Sequence, residues 1–400
     1  MKTPIDVYKL YKEEHDSRAL EYLHRLEALD LSGKEPEDFE ILHETPNLRN
    51  LFMRSCKIND LSLVEHLNKL EKLVVSGNEI SDISPVAKLA DLQDFCACVN
   101  QIEDISPLAE LKHLKFICIQ DNNISDISPL AGMTSLRDIV LGSNTIADIS
   151  SLAGLIDLQT LELPFNRISD ISSLAKLTGI KELNLGDNEI NDISPLAGLT
   201  NLQELRITNN CVCDLSPLSG LVNIKELKLG TNAIRDISPL KELTSLENLC
   251  FCNNDITDIA PLADLINLEC LCSVKNKISS LSPLANLTNL QALMISGNLV
   301  TDLTPLAELE SLEALLLRNN GKLSLYPLSE LINLEVLDVA NCYDITDLHS
   351  IYGLTSLRQF CFSEDTVSMN DALELSLHIP DCKLDPIKPG DGSDPWNHGH

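Results

Sequence analysis

Apolar residues recur along this chain with a period of 22 residues. In the segment LEKLVVSGNEISDISPVAKLAD, which begins at Leu70, positions 1, 4, 6, 11 and 14 are apolar. New periods begin at Leu26, Leu48, Leu70, Leu92, Leu114, Leu136, Leu158, Ile180, Leu202, Ile224, Leu246, Leu268, Leu290, Leu312 and Leu334, and a step of 23 residues then leads to Leu357. The alternation at positions 4 and 6 predicts a short strand with one buried face. A fixed period of this length predicts repeats that stack into a solenoid.

Polar residues also hold fixed positions within the period. Position 9 is Asn from Asn78 through Asn320, and Cys56 and Cys342 occupy the same slot. Because a buried Asn can hydrogen-bond the turns of its own and neighbouring repeats, a ladder of Asn side chains is predicted. The pattern Asp-Ile-Ser-Pro-Leu follows, in which Ser fits an N-cap and Pro the first residue of a short helical turn. The Asp could form a metal ladder, but bonding to local turn backbone is the stronger interpretation.

These motifs, for example LQTLELPFNRISDISSLAKLTG, resemble the leucine-rich repeats of bacterial internalins and of the leucine-rich regulatory subunit of protein phosphatase 1. The resemblance covers about residues 26–363. It implies an α/β solenoid, a curved right-handed array with a parallel sheet on its concave face and short 3₁₀ or helical turns on its convex face. The resemblance to internalins implies a concave face that binds a host receptor.

The segments outside the repeats differ from them in pattern. Residues 1–25 place Ile5, Tyr8, Leu20 and Leu23 at helical spacing, which predicts a helix over residues 4–24 as an N-terminal cap. Residues 364–385 are expected to form a C-terminal cap with an amphipathic helix over Met369–His378. Residues 386–400 are rich in Pro, Gly and Asp, which predicts a disordered tail without a fixed metal geometry for His398 and His400.

Charge and cysteine content narrow the possible partners and compartments. The formal net charge is -30, from 60 acidic and 30 basic residues, which argues against nucleic acid and anionic membranes and favours a partner with a basic surface. No segment is apolar enough to insert into a membrane. With 13 cysteines and no recognisable secretory signal, we expect reduced thiols in the cytoplasm, with an extracellular or host-delivered protein as the alternative.

Partner binding is expected at positions 3, 5, 7 and 8, which should face solvent on the concave sheet. The candidates are Phe52, Arg54 and Phe116 in an N-terminal zone, Glu162, Phe165, Glu182, Glu204, Arg206, Glu226 and Lys228 in a charged middle zone, and Cys272, Val274, Met294, Leu316, Arg318 and Val336 in an apolar C-terminal zone. The stacked Glu side chains would be relieved by a basic partner, or by water and the nearby basic residues. The apolar zone predicts an interface, against the alternative of scattered surface hydrophobes.

Two groups of cysteines fall on the predicted strands. They are Cys96, Cys98 and Cys118 in the first group, and Cys250, Cys252, Cys270 and Cys272 in the second. Neighbouring side chains on a rigid sheet should point the same way rather than converge on a metal, so no metal site is predicted. A lateral disulfide, Cys96–Cys118 or Cys250–Cys272, is geometrically possible under oxidation. The leading interpretation is Cys as a small hydrophobe on a binding surface.

The sequence therefore predicts a non-catalytic protein-interaction module that needs no cofactor. It has no Ser-His-Asp spacing, phosphate loop or His-Glu metal motif. The main hypothesis is a monomeric cytoplasmic scaffold or regulatory subunit that binds a protein on its concave face. An internalin-like adhesin or effector that binds a host receptor is the alternative, and a thiol-based metal or redox sensor is a minor one.

Overall fold

The structure, a computed structural model, describes residues 3–387. The chain divides into two compact units, Met1–Ile190 and Asn191–His400. None of the helices described is long and apolar enough to cross a membrane.

The first unit begins with two α-helices, α1 (Pro4–Glu14) and α2 (Ser17–His24). Thr3 and Asp6 form a capping box at the start of α1. The prediction of one helix over residues 4–24 is wrong, because His15 takes a left-handed conformation with φ of 53° that ends α1. The Asp16 side chain then accepts a hydrogen bond from the Arg18 amide and starts α2.

Short parallel strands follow, one in each repeat of the first unit. They are β1 (Ala28–Asp30), β2 (Asn50–Phe52), β3 (Lys72–Val74), β4 (Asp94–Cys96), β5 (Phe116–Cys118), β6 (Asp138–Val140), β7 (Thr160–Glu162) and β8 (Glu182–Asn184). Residues 22 apart lie side by side, as Leu29 does with Leu51. The central residue of each strand, at position 4, is buried, and positions 3 and 5 lie on the other face.

The return path of each repeat in the first unit is a 3₁₀ helix. These helices are Pro36–Glu44, Ser62–Val64, Ser84–Lys88, Ser106–Glu110, Ser128–Leu130, Ser150–Gly154 and Ser172–Lys176. The predicted Ser N-cap is wrong, since each of these turns after the first begins at Ser and the capping oxygen comes from Asp two residues earlier. Asp82, for example, accepts the Ser84 amide at 2.7 Å and the Ser84 hydroxyl at 3.0 Å. The interpretation of this Asp as a local turn residue is thereby confirmed.

The second unit continues the same alternation. Its strands are β9 (Glu204–Arg206), β10 (Glu226–Lys228), β11 (Asn248–Cys250), β12 (Cys270–Cys272), β13 (Ala292–Met294), β14 (Ala314–Leu316), β15 (Lys322–Ser324), β16 (Val336–Asp338), β17 (Asp344–Thr346), β18 (Gln359–Ser363) and β19 (Lys383–Ile387). All pair in chain order in one parallel sheet except β15 and β17, which pair with each other. Strand β17 lies at the one-residue insertion of the 22-residue pattern.

Short helices connect these strands and close the C-terminal end. The 3₁₀ helices are Ser194–Gly198, Ser216–Leu218, Ser238–Leu240, Ala260–Leu262, Ser282–Leu284, Thr304–Leu306, Tyr326–Leu328 and Leu348–Ile351. Helix α3 (Met369–His378) has the predicted bounds. The sequence predicts a disordered tail from residue 386, but Pro386 and Ile387 belong to β19, where they pair with β18. The rest of the predicted tail, with His398 and His400, lies outside the described residues.

The predicted Asn ladder is confirmed. Asn298, for example, donates to the carbonyls of Ser273, Ile295 and Ser296 at 2.9–3.3 Å and accepts the Ile278 amide at 2.9 Å. The two Cys substitutes share one of these bonds, and Cys56 also keeps the bond to the carbonyl two residues earlier, at Arg54. Their thiols reach the carbonyl 25 residues earlier, as the Asn amides do, at Leu31 from Cys56 and at Leu317 from Cys342.

Candidate functional site

The candidate site is the sheet face, defined as the side chains at positions 3, 5 and 7 of the repeats in each unit. These side chains point away from the buried Leu and Ile core. In the first unit, Phe52, Phe116 and Glu162 are partly exposed there, and Glu182 is exposed. Because position 4 fills the core in every repeat, the outward positions are free to vary without loss of packing.

A shallow depression of about 440 Å³ lies on this face at the first two repeats. It is lined by Ala28, Leu29, Asp30, Phe52 and Arg54. The Arg54 guanidinium lies 5.1 Å from the centre of the Phe52 ring. A hydrogen bond with Ser32 lowers the pKa of Asp30, and the Arg54 charge adds to this effect. The depression therefore offers an aromatic surface, a cation and a carboxylate together.

Position 8 does not belong to the strands, which corrects one expectation of the sequence. Phe165 has a φ of 55°, in the left-handed region, and lies in the turn after β7. Its ring is 50% exposed. Val99 holds the same conformation in the turn after β4. The same left-handed φ occurs at position 8 of every repeat from Gly33 to Asn341, so it is a feature of the repeat and not a mark of function. Phe165 stays a candidate because its side chain is exposed.

In the second unit, the charged candidates form an ion-pair network. The Arg206 guanidinium lies 3.4 Å from the Glu204 carboxylate and 3.0 Å from that of Glu226. Lys228 lies 3.2 Å from Glu226. Burial alone would raise the pKa of Glu226, but the hydrogen bond from Lys228 and the charges of Lys228 and Arg206 lower it below its usual value. These acids are thus already neutralised by neighbouring basic residues, the alternative that the sequence left open.

Apolar candidates of the second unit form a patch of partly exposed side chains on adjacent strands. The apolar patch comprises Cys272, Val274, Ala292, Met294, Ala314 and Val336. Cys272 lies beside Met294 in the sheet, and Ala314 lies between Ala292 and Val336. Because these strands are consecutive neighbours, the patch is contiguous rather than a scatter of single hydrophobes.

Two predicted members of this zone, Leu316 and Arg318, are buried and not solvent-facing. Leu316 is 6% exposed and Arg318 is 2% exposed. The Arg318 guanidinium donates to the buried carboxylate of Asp338 at 2.9 and 3.2 Å. Leu316 lies between Met294 and Asp338 in the sheet, and these neighbours cover its side chain. Sequence reasoning missed Asp338, although an acid at position 5 directly follows a repeat with Arg at position 7.

The cysteine side chains converge, contrary to expectation. The Cys98 sulfur lies 2.6 Å from that of Cys118 and 3.6 Å from that of Cys96. In the second unit, Cys252 lies 2.7 Å from Cys272 and 3.5 Å from Cys250. The expected lateral pairs were Cys96–Cys118 and Cys250–Cys272, whereas the shortest distances run diagonally from position 7 to position 5. Cys270, at position 3, lies outside this group.

Sequence comparison decides the family. A family model for leucine-rich repeats in two copies matches residues 46–88, 112–154, 156–198, 200–242 and 244–286. The chain belongs to the leucine-rich-repeat family. No curated protein sequence matches it.

Solved structures agree with this family. An internalin, InlF of Listeria monocytogenes, is 31% identical with a TM-score of 0.74, and the match covers 85% of this chain and 98% of that one. A leucine-rich-repeat protein of Leptospira interrogans is 22% identical with a TM-score of 0.81, over 92% and 98% of the two chains. The plant peptide hormone receptor RGFR1, solved in complex with RGF2, is 16% identical with a TM-score of 0.62, over 91% and 74%. The internalin-type repeat and the solenoid fold predicted from sequence are confirmed.

The repeats place most of the candidates on the sheet face, whereas Leu316 and Arg318 are buried and Phe165 lies in a turn. Repeats hold side chains at a fixed lateral spacing, so residues 22 apart become neighbours. Proteins of this fold are generally non-catalytic modules for protein–protein interaction. The arrangement of aromatic, apolar and charged side chains suits contact with another macromolecule.

Proposed function

We propose that this leucine-rich-repeat chain binds a protein partner through the sheet face and performs no catalysis. The observation that carries the proposal is the contiguous apolar patch around Met294. Partly exposed Met and Val side chains on adjacent rigid strands are typical of interface anchors. The plant receptor with a related fold, solved with a peptide hormone, supports the use of such repeats for peptide or protein ligands.

The face in the first unit supplies a second contact area under the same proposal. Phe52 and Phe116 are partly exposed on this face, and Phe165 is exposed in the turn after β7. Aromatic residues contribute strongly to interfaces because they bury large areas at low entropic cost. Arg54 adds a cation beside Phe52, which suits a ligand side chain that carries both an apolar body and a polar end.

Charge favours a basic partner through the long-range field rather than through the Glu204 and Glu226 carboxylates. The formal net charge of -30 attracts a basic surface and accelerates encounter. Since Arg206 and Lys228 already pair with those acids, a basic partner gains little by displacing them. We therefore assign affinity to the apolar patch and electrostatic steering to the whole chain, which we take to act as a monomer.

Two cellular roles remain in competition, and each has an observation in its favour. A cytoplasmic scaffold or regulatory subunit is favoured by the 13 cysteines, an odd number that cannot pair completely. An internalin-like adhesin or effector is favoured by the 31% identity to InlF over 98% of that chain. We give precedence to the cytoplasmic role because thiols crowded at 2.6–3.6 Å would be oxidised easily outside the cell.

The test compares wild type with Met294→Asp and Val274→Asp in affinity capture from cytosol and from extracellular or host extracts. Ile266→Asp is the matched control, because it adds the same charge at a residue that is 56% exposed but lies in a turn away from the sheet. A protein retained by wild type and by the control, and weakened at least tenfold by both patch variants, is the expected result. Melting curves check that all four chains are folded.

Equal capture by the patch variants and by wild type would contradict the assignment of the patch. Retention from cytosol supports the scaffold or regulatory role, and retention only from the other extracts supports the adhesin. Isothermal titration with the purified partner then gives the change in affinity directly.

A further inference from the structure

We propose that each of the two cysteine triangles, Cys96/Cys98/Cys118 and Cys250/Cys252/Cys272, binds one soft thiophilic cation, with Cu(I) preferred over Zn(II). In both triangles the three sulfur atoms lie within 4.8 Å of one another. Sulfur atoms that share one metal at about 2.3 Å lie roughly 4 Å apart. The pairs at 3.5 and 3.6 Å are close to that separation, and the pairs at 2.6 and 2.7 Å must open by roughly 1.4 Å to reach it.

The two triangles use the same positions of the repeat. Each takes positions 5 and 7 of one repeat and position 5 of the next, and Cys250 follows Cys96 by 154 residues, which is seven periods of 22. The corresponding sulfur distances agree within 0.1 Å, at 2.6 and 2.7 Å for one edge and 3.6 and 3.5 Å for another. The same three-thiol geometry therefore occurs once in each unit.

Backbone geometry explains why the thiols converge. Cys96 and Cys118 are direct neighbours across β4 and β5, so their side chains rise from the sheet in parallel. Cys98 lies beyond the end of β4, just before the left-handed residue Val99, so its side chain leaves the straight path of the strand. Its sulfur lies 3.3 Å from the Cys118 carbonyl and reaches the Cys118 sulfur diagonally. Cys252 stands in the same relation to the left-handed Asn253.

The chemistry of the donors selects the cation. Among the described residues, each triangle contains only sulfur, without imidazole or carboxylate. Thiolates select Cu(I), Zn(II) and iron–sulfur clusters. Structural zinc sites are closed by four ligands, whereas each triangle supplies three. Partial burial of the thiols limits the access of water that would complete a zinc shell. A cation that accepts three sulfur donors fits best.

The thiols of each triangle form hydrogen bonds with one another. Hydrogen bonds with Cys118 and Cys98 lower the pKa of Cys96, and hydrogen bonds with Cys252 and Cys272 lower that of Cys250. The same hydrogen bonds raise the pKa of Cys118 and of Cys252. Cation binding requires these thiols to lose their protons to solvent, so it should become tighter as the pH rises.

A disulfide is the competing chemistry of the same atoms. Cys98–Cys118 and Cys252–Cys272 have the shortest sulfur distances, and a disulfide needs about 2.05 Å. Such a bond uses two thiols of each triangle and leaves Cys96 or Cys250 without a role. A cation engages all three, and this difference separates the two cases experimentally.

The experiment titrates the reduced full-length chain with Cu(I) under anaerobic conditions against a colorimetric Cu(I) chelator. Metal content is then measured by mass spectrometry. Two triangles predict two Cu(I) ions per chain. Cys98→Ser and Cys252→Ser should each retain one ion, and the double variant none. The matched control is Cys211→Ser/Cys213→Ser, which removes two exposed thiols of the same C-x-C spacing and should retain two.

X-ray absorption of the loaded chain should show sulfur neighbours only, three per copper. Cys96→Ser and Cys250→Ser provide a second pair of variants, and circular dichroism checks that each chain is folded. Retention of no copper by wild type, or of two ions by the double variant, would overturn the proposal. Tighter retention of Zn(II) than of Cu(I), or metal-free protein with four thiols lost to disulfides, would overturn it as well.

Discussion

At the scale of single residues, one side chain in each repeat secures the turn that follows the strand. Asn298 is buried and satisfies three carbonyls and one amide of the backbone at once. Sequence predicts this role well, because only a side chain with both donors and an acceptor can serve such a turn. The left-handed φ at position 8 is also predictable, because that position is Gly, Asn or Asp in many repeats, as at Gly77 and Asn209. Phe165 and Val99 adopt the same φ because the repeat imposes it there.

Asn298→Ala should lower the free energy of unfolding by roughly 1–3 kcal/mol, because buried backbone groups lose their partners. Urea unfolding followed by circular dichroism measures the change. Asn248→Ala is the control, since Asn248 is exposed on β11, and its change should stay within about 0.5 kcal/mol. Equal changes in the free energy of unfolding for the two substitutions would contradict a stabilising role of the Asn ladder.

At the scale of elements, side chains on neighbouring strands decide which part of the sheet face is open. The 22-residue frame correctly predicted outward positions for Phe52, Met294 and Val336. It failed for Leu316 and Arg318 because exposure also depends on lateral partners. A prediction made from one repeat at a time treats the side chains at positions 5 and 7 of neighbouring repeats as independent. In the structure, Asp338 on β16 accepts hydrogen bonds from Arg318 of the preceding repeat. The converging cysteines were missed for the same reason.

Asp338→Ala should destabilise the second unit by about 3–5 kcal/mol, because it leaves the Arg318 guanidinium buried without its carboxylate partner. The double variant Arg318→Met/Asp338→Leu should recover most of the loss, since a buried ion pair gains little over well-packed apolar residues. A double-mutant cycle of Arg318→Met, Asp338→Leu and their combination, measured by denaturant unfolding, gives the coupling energy. An additive result would show that the two side chains contribute independently.

At the scale of the whole molecule, the 22-residue period determines the repeat fold, and the two ends of the chain need capping elements of a different sequence. Stacked repeats interact mainly with their neighbours, so stability is local and each end needs a cover for its apolar core. The caps were predicted as helical from the spacing of apolar residues, and α3 has the predicted bounds. The break between α1 and α2 was missed because it depends on the local cap at Asp16, which apolar spacing does not encode. Strand β19 was missed because it depends on pairing with β18.

Locality of this kind leads to a prediction for the N-terminal cap. Leu23 on α2 is fully buried, and α2 packs against the 3₁₀ helix Pro36–Glu44. Leu23→Ala removes about 2–5 kcal/mol of packing energy at that end. Because repeats couple chiefly to their neighbours, hydrogen exchange should accelerate in β1 and β2 while β12 and β13 keep their protection. Leu377→Ala, at an exposed leucine of α3, is the control and should leave exchange unchanged. Uniform acceleration across both units would mean that the chain unfolds as one cooperative body, and the repeat model of its stability would then be wrong.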